Sequence, residues 1–252
     1  MSEPFNPFSL AGKRILVTGA SSGIGRCIAI LCSRMHSEVV LNGRNVGRLE
    51  ETLGQMEPGN HIVVSADLTD DAQRGELVSK MPLLDGIVYC AGVMELKPAK
   101  FIVGDDIDKV MRTNFEAPVL LQAELQRAAK IKKNASIVFI ASRAFEAPSV
   151  GNSIYSASKG AIVSYAKCLS LELAPRKTRV NCICPGMVWT ELLNQGTMEE
   201  ANLKKAEDNY PLKRFGTPDD VANLCVFLLS DASSWMTGSV IDLTGGAYEH
   251  HA

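Results

Sequence analysis

The chain has 252 residues, 46% of them hydrophobic and 21% charged, with a formal net charge of −2, so it can bury a core without disulfides or metal. This balance offers no basic surface for nucleic acid, and no apolar stretch approaches the length of a membrane span. The seven cysteines are scattered without a C-x-x-C pair, and the amino end lacks a signal peptide, so we expect no metal site, no disulfide framework and a cytoplasmic location.

An apolar segment followed by a glycine-rich turn opens the series of predicted elements. Arg14–Thr18 is predicted to be the first strand, and the sequence GASSGIG follows at once, before a segment of helical character at 27–35. Gly19 allows a tight turn, Gly23 lets the backbone approach a pyrophosphate, and Gly25 lets the helix pack closely on the strand. The spacing G-x-x-x-G-x-G differs from the standard fingerprint, but its context favours a dinucleotide site over a purely structural turn.

The second predicted strand, Glu38–Asn42, ends without an acidic residue. A cofactor with a free ribose 2′-hydroxyl usually meets a carboxylate about 20 residues beyond the glycines. Arg44 stands there instead, and a planar guanidinium can hold a 2′-phosphate through two hydrogen bonds. An exposed loop arginine is the alternative, but the missing acid favours NADP(H) over NAD(H).

The next two predicted strands carry further candidates at their carboxyl ends. His61–Ser65 is followed by Asp67, which is suited either to holding the adenine amino group or to assisting a helix cap near Asp70. Gly86–Cys90 is followed by Ala91 and Gly92, whose small size lets a backbone approach a ribose.

A long helical segment is predicted from about 105 to 130, with a proline inside it. Pro118 has no N–H, so the carbonyl of Asn114 loses its usual partner and the helix is expected to kink. The free acceptor can then hold a water, which gives Asn114 a role through its main chain. An ordinary proline kink beside a polar residue is the alternative.

The pair Tyr155 and Lys159 is the strongest chemical feature of the sequence. Ser136–Ala141, the fifth predicted strand, places Ser142 at the ligand-binding edge of an open sheet, and the helix of Tyr155 follows. Residues i and i+4 of a helix share a face, so both side chains can reach one cleft. A free phenol ionises about 3 pH units above neutrality, and an ammonium about 4 Å away supplies about 4 kcal/mol at an effective dielectric near 20. A half-buried tyrosine beside a solvated lysine is the alternative.

The remaining elements complete a regular alternation of strands and helices. Arg179–Cys184 is the predicted sixth strand, Gly238–Leu243 is the seventh, and Thr217 caps a helix that starts with a proline. The mixed segment 187–212, which contains Trp189, Leu192, Leu193 and Met198, is predicted to be a substrate lid or a surface helical excursion. Alternating elements predict one α/β domain over 1–252, a Rossmann-type doubly wound parallel sheet of about seven strands.

Taken together, these motifs resemble the short-chain dehydrogenase/reductase family from about Gly12 to Gly246. The family's marks occur in order: TGASSGIG at 18–25, Asp67, Ala91-Gly92, Asn114, Ser142, Tyr155 with Lys159, Pro185-Gly186 and Thr190. The last third, through the LTGG sequence at 243–246, is most similar to 3-oxoacyl-acyl-carrier-protein reductase-like members. The resemblance implies an NADP(H)-dependent oxidoreductase that interconverts a carbonyl and a secondary alcohol.

The resemblance also implies roles for residues at matching positions. Tyr155 would exchange the proton of the reacting oxygen, Lys159 would favour the ionised phenol and hold the nicotinamide ribose, and Ser142 would hydrogen-bond the substrate oxygen. Asn114 would hold a water that links Lys159 to solvent. The cofactor-binding set implied by the motifs is Gly19, Ser21, Ser22, Gly23, Ile24, Gly25, Arg44, Asp67, Leu68, Ala91, Gly92, Tyr155, Lys159, Pro185, Gly186, Val188 and Thr190.

Two departures from the family pattern bear on the substrate. The family's Asn-Asn-Ala-Gly is replaced here by Tyr89-Cys90-Ala91-Gly92, which removes any contact from those asparagines. Arg143 and Phe145 follow Ser142 where small residues are common, which predicts a bulkier and more positive substrate end of the pocket. A solvated Arg143 is expected, and an arginine that favours an acidic or phosphopantetheine-bearing substrate is the alternative. The substrate is therefore predicted only as a small carbonyl compound or an acyl thioester. A homotetramer is implied, and a dinucleotide-binding sensor or scaffold without turnover is the alternative.

Overall fold

The computed structural model describes residues 6–190 and 200–247. A seven-stranded sheet, parallel throughout, has the order β3-β2-β1-β4-β5-β6-β7. Its strands are β1 (Arg14–Thr18), β2 (Glu38–Gly43), β3 (Ile62–Ser65), β4 (Leu84–Tyr89), β5 (Ile131–Ile140), β6 (Arg179–Pro185) and β7 (Val240–Leu243). The strand order reverses between β1 and β4, which is where ligands bind in open α/β sheets.

Helices connect the strands and cover both faces of the sheet. They are α1 (Gly23–Arg34), α2 (Val46–Leu53), α3 (Asp71–Lys80), α4 (Gly104–Met111), α5 (Ala117–Arg127), α6 (Ser153–Leu173), α7 (Glu200–Asn209) and α8 (Pro218–Leu229). None of the described helices is long and apolar enough to cross a membrane.

The sheet is buried on both faces because successive side chains of each strand enter two separate cores. Leu16 packs into one core with residues of α3, α5 and α6, whereas its neighbours Ile15 and Val17 pack into the other with residues of α1 and α8. This arrangement explains why the strands are continuous apolar segments, and it confirms the predicted doubly wound sheet.

The predicted helix over 105–130 is interrupted in the structure. A π-helical turn, Arg112–Glu116, separates α4 from α5, and the N–H of Ala117 bonds five residues back to Arg112. The irregular turn ends two residues before Pro118 in α5, so the predicted kink takes the form of a π turn. The predicted cap at Thr217 is confirmed, because its hydroxyl accepts a hydrogen bond from the N–H of Asp220.

The predicted lid is described only in part. Residues 187–190 follow β6, and α7 lies within the second half of the segment. The phenol of Tyr210 accepts a hydrogen bond of 3.1 Å from the N–H of Met187, and Trp189 donates 2.8 Å to Glu207, so the two described halves contact each other. Leu192, Leu193 and Met198 lie outside the described residues.

Candidate active site

A cleft of about 770 Å³ lies along the carboxyl edge of the sheet. Its wall comprises the turn after β1, the ends of β2, β4, β5 and β6, and the first turns of α6. Of the predicted site residues, the wall contains Gly19, Ser21, Ser22, Gly23, Ile24, Gly25, Arg44, Asp67, Leu68, Ala91, Gly92, Ser142, Tyr155, Lys159, Pro185, Gly186, Val188 and Thr190. Asn114 lies behind the wall and acts on it through hydrogen bonds.

The glycine-rich turn brings three backbones together at the reversal of strand order. Gly19 has a φ of +69°, and a Cβ there would lie 2.9 Å from the backbone of Ala91. A Cβ at Gly25 would lie only 2.2 Å from the carbonyl oxygen of Gly19. Side chains at these positions would push the turn, α1 and the end of β4 apart, so the close approach requires glycine.

The amino end of α1 is suited to an anion. Ser22 is its N-cap residue, but its side chain makes no cap hydrogen bond, and the first turn contains no acidic residue. By contrast, the first turn of α8 contains two aspartates and a capping box. The uncapped N–H groups of α1 and its dipole face the cleft, which is an arrangement that binds phosphate.

Charged groups line the end of the cleft beside β2 and β3. Arg44 and Arg48 both contribute to this wall, opposite Asp67. Burial alone would raise the pKa of Asp67, but hydrogen bonds from Thr69 and the charge of Arg44 outweigh it and lower that pKa. Asp67 accepts both hydrogen bonds of Thr69, at 2.9 and 2.7 Å, whereas Asp70 caps α3. The cap of α3 is therefore made by Asp70, and the adenine contact of Asp67 stays a prediction.

Tyr155 and Lys159 meet at the other end of the cleft. Lys159 is 6% exposed, and its Nζ donates a 2.9 Å hydrogen bond to the carbonyl of Ile140 at the end of β5. The same Nζ lies 5.6 Å from the centre of the half-buried Tyr155 ring. A Cβ at Gly92 would be 3.6 Å from this nitrogen, so the turn after β4 also borders the ammonium. The two polar heads therefore share one wall of the cleft, as their spacing predicts.

Asn114 ties this wall together through its side chain. Its Oδ1 accepts a 2.8 Å bond from the N–H of Val93, and its Nδ2 donates to the carbonyl of Val93 and to Ser158 Oγ. Ser158 in turn donates to the carbonyl of Tyr155, at 2.7 Å. These bonds fix the turn after β4 against α6 and occupy the carboxamide. The water-binding role predicted for the main-chain carbonyl of Asn114 stays a prediction.

Comparison with known proteins places this site in a family. A family model described as Enoyl-(Acyl carrier protein) reductase matches residues 19–248. The 3-oxoacyl-(acyl-carrier-protein) reductase FabG of Rickettsia felis is 33% identical, over 94% of this chain and 97% of its own length. The L-xylulose reductase of Caenorhabditis elegans is 30% identical, over 95% and 97%. A solved short chain dehydrogenase/reductase family protein aligns with a TM-score of 0.86 at 29% identity, covering 95% of this chain and 99% of that one.

The chain belongs to the short-chain dehydrogenase/reductase family. It is therefore an oxidoreductase that uses a nicotinamide dinucleotide. The wall fits such a cofactor on structural grounds: the uncapped end of α1 suits the pyrophosphate, and the cleft continues from there to Tyr155 and Lys159. The bound nicotinamide supplies or accepts the hydride, while the protein provides position and electrostatics.

Tyr89 and Cys90 stand where the motif of the short-chain dehydrogenase/reductase family has two asparagines, and they lie in different surroundings. Tyr89 turns into the core, where its ring stacks on Phe139 at 4.6 Å and its hydroxyl donates a 2.9 Å bond to the buried Gln122. Cys90 borders the cleft, half-buried. Burial raises the pKa of its thiol to about 12, although the charge of Lys159 opposes this, so the thiol stays neutral at physiological pH.

Arg143 differs from the expectation of a solvated side chain. Its side chain is only 15% exposed, and its Nη1 donates to Glu146 and, at 2.9 Å, to Asp242 on β7. The pairing partner in β7 is 99 residues away, so sequence spacing carried no sign of it. Ser142, next to it, caps a short 3-10 turn by accepting a 3.2 Å bond from the N–H of Ala144. Arg143 is therefore a paired structural cation beside Ser142.

Several cleft residues were not predicted from sequence. Arg48, Met94, Leu96, Asn152 and Tyr210 all line the wall. Arg48 lies in the first turn of α2, whereas Arg44 precedes the helix, so no regular spacing relates the two residues. Met94 and Leu96 follow β4 in a loop without a regular pattern, and their position depends on the bonds from Asn114 to Val93.

Proposed function

We propose that the chain is an NADPH-dependent carbonyl reductase that acts on a ketone or aldehyde, or on the corresponding secondary alcohol in reverse. The proposal rests on one observation: Ser142, Tyr155 and Lys159 line the same cleft as the glycine turn and Arg44. The proposal treats 1–252 as one cofactor-binding domain, with the segment 187–212 covering the substrate. Similarity to FabG proteins suggests 3-oxoacyl thioesters among the substrates.

In the proposed reaction Tyr155 is the proton donor of reduction, and Ser142 holds the substrate oxygen. Lys159, buried and hydrogen-bonded to Ile140, stabilises negative charge on the phenol. Asn114 positions α6 through Ser158, and its main-chain carbonyl is proposed to hold a water on the path by which Lys159 exchanges protons with solvent.

Replacing Tyr155 tests the reaction. Tyr155→Phe removes the proton donor and keeps the ring, so kcat with NADPH should fall by about 10²- to 10⁴-fold while the Kd for NADPH stays within about threefold. Tyr165→Phe is the matched control, because Tyr165 lies on the same helix but packs edge-on against Phe139. Near-normal turnover of Tyr155→Phe would refute the mechanism. Tight NADPH binding with no consumption across ketones, aldehydes and 3-oxoacyl thioesters would instead favour the sensor or scaffold.

The preference for NADPH is proposed to depend on Arg44. A hydrogen bond to a charged group contributes about 1.5–3 kcal/mol, so Arg44→Ala should weaken NADPH binding by roughly 10- to 150-fold and leave NADH binding unchanged. Arg48 lines the same end of the cleft as Arg44, so Arg44→Ala is expected to keep some preference for NADPH over NADH. Arg34→Ala, an exposed arginine at the far end of α1, controls for the loss of charge. An unchanged ratio of NADPH to NADH affinity would show that Arg44 is the wrong residue.

We also propose that the protein is a homotetramer assembled through α4, α5 and α6. Ile107 on α4, Leu120 on α5 and Leu171 on α6 are 45%, 40% and 77% exposed, which is costly for large apolar side chains that stay in water. Sedimentation velocity should give a tetramer, and Leu171→Glu should shift it to smaller species; a monomeric wild type would contradict the proposal. The cytoplasmic location stays a prediction for cell fractionation.

A further inference from the structure

Asn152 occupies an N-cap position without acting as a cap. It precedes α6 with φ −103° and ψ 15°, and its side chain makes no hydrogen bond to the helix. Asn45 and Asp70, at the same position of α2 and α3, do accept a bond from the third helical N–H. Asparagine is among the most favourable residues for capping, so its side chain at 152 is directed elsewhere at a cost to the helix.

The carboxamide of Asn152 is buried and incompletely hydrogen-bonded. The residue is 8% exposed, and its Oδ1 has no hydrogen-bond partner among the described residues. Buried acceptors in native proteins are rarely left in this condition, because removal from water without a partner is unfavourable. The oxygen therefore requires a donor that none of the described protein groups supplies.

Asn152 also lies beside the reacting groups. It lines the same cleft as Ser142 and Tyr155. It precedes Tyr155 by three residues, so the two positions lie on one face of the helix, about 4.5 Å apart along its axis. A small substrate that meets Tyr155 would therefore lie near Asn152.

We propose that Asn152 determines specificity by accepting a hydrogen bond from a hydroxyl group on the carbon next to the reacting carbonyl. The inference rests on the proposed function and narrows its substrate class to α-hydroxy ketones and their diols. Arg143 lies on the same wall, where its Nη1 is paired with Glu146 and Asp242. A substrate without the hydroxyl leaves Oδ1 buried and unpaired, which discriminates against it.

The test compares two ketones that differ in one donor. With NADPH, kcat/KM is measured for 1-hydroxybutan-2-one and for 1-methoxybutan-2-one, which keeps the electron-withdrawing oxygen but has no O–H. We expect the wild type to favour the hydroxy ketone by at least tenfold. Asn152→Leu, similar in size, should lower this ratio by about ten- to hundredfold while the Kd for NADPH is unchanged. Asn152→Asp keeps an acceptor and should keep the ratio, and Ser153→Ala, an exposed neighbour, should behave as wild type.

Specific outcomes would overturn the inference. An equal ratio in wild type and Asn152→Leu, or failure of the wild type to reduce the hydroxy ketone while it reduces other ketones, refutes the role of Asn152 and leaves the proposed function intact. Normal turnover of Tyr155→Phe, or no NADPH consumption with any carbonyl, refutes the proposed function itself. If the leucine variant does not fold, Asn152→Ala is measured in its place and should also lower the ratio of the two kcat/KM values.

Discussion

A methyl group added at Gly25 would test the packing on which the cofactor site depends. A Cβ at this position would lie 2.2 Å from the carbonyl oxygen of Gly19 and 2.7 Å from its carbon. Ordinary contact needs about 3.5 Å, so the turn or the helix must move by roughly 1 Å. Gly19 is poorly placed to yield, because it already has a positive φ and lies against the backbone of Ala91.

The expected magnitude follows from two opposing effects. Alanine in place of glycine within a helix stabilises by about 0.5–1 kcal/mol, whereas overpacking of a tight contact costs about 1–3 kcal/mol. Gly25→Ala should therefore lower the free energy of unfolding by about 1–2 kcal/mol. A displacement near 1 Å at the amino end of α1 should also raise the Kd for NADPH by about ten- to hundredfold.

Gly75 provides the matched control for this experiment. It also lies within a helix, α3, but a Cβ there would meet nothing within 4 Å. Gly75→Ala should stabilise the protein by about 0.5–1 kcal/mol and leave the Kd unchanged. Urea denaturation gives the free energies, and titration of NADPH fluorescence gives the Kd. If Gly25→Ala were as stable as Gly75→Ala and had an unchanged Kd for NADPH, the close packing of α1 on the Gly19 turn would not be a requirement of the site.

Two further predictions concern stability away from the cleft. Hydrogen bonds from Arg214 hold the pKa of Asp220 well below its usual 3.8, so this carboxylate stabilises the fold above the unfolded-state value and the contribution is lost as pH falls below about 4. The difference in unfolding free energy between wild type and Asp220→Asn should thus be constant from pH 7 to 5 and shrink below pH 4; a constant difference down to pH 3 would contradict this. Gln122→Leu leaves the buried hydroxyl of Tyr89 unpaired and should cost about 1–3 kcal/mol in urea denaturation. Adding Tyr89→Phe to Gln122→Leu should restore much of the lost unfolding free energy. If the losses of the two single variants simply added in the double variant, the two side chains would not be coupled.

The order of strands and helices was determined by the sequence alone, and the main site residues were predicted from it. The central strands β1 and β4 are recognisable because they are mostly buried and therefore largely apolar, and the glycine turn lies directly between β1 and α1. Carboxyl ends of parallel strands meet at one edge, so Ser142 and the pair Tyr155 and Lys159 were predicted to converge without knowledge of any contact.

Contacts between distant segments were decided only by the tertiary structure. Tyr89 became a core residue because Gln122 and Phe139 lie beside it, and Arg143 became a paired cation because β7 brings Asp242 within 2.9 Å. The sequence likewise does not show that Asn152 makes no capping hydrogen bond, since an asparagine at this position predicts a cap. Local patterns determine which elements form, whereas the partner of a buried polar group depends on how those elements pack.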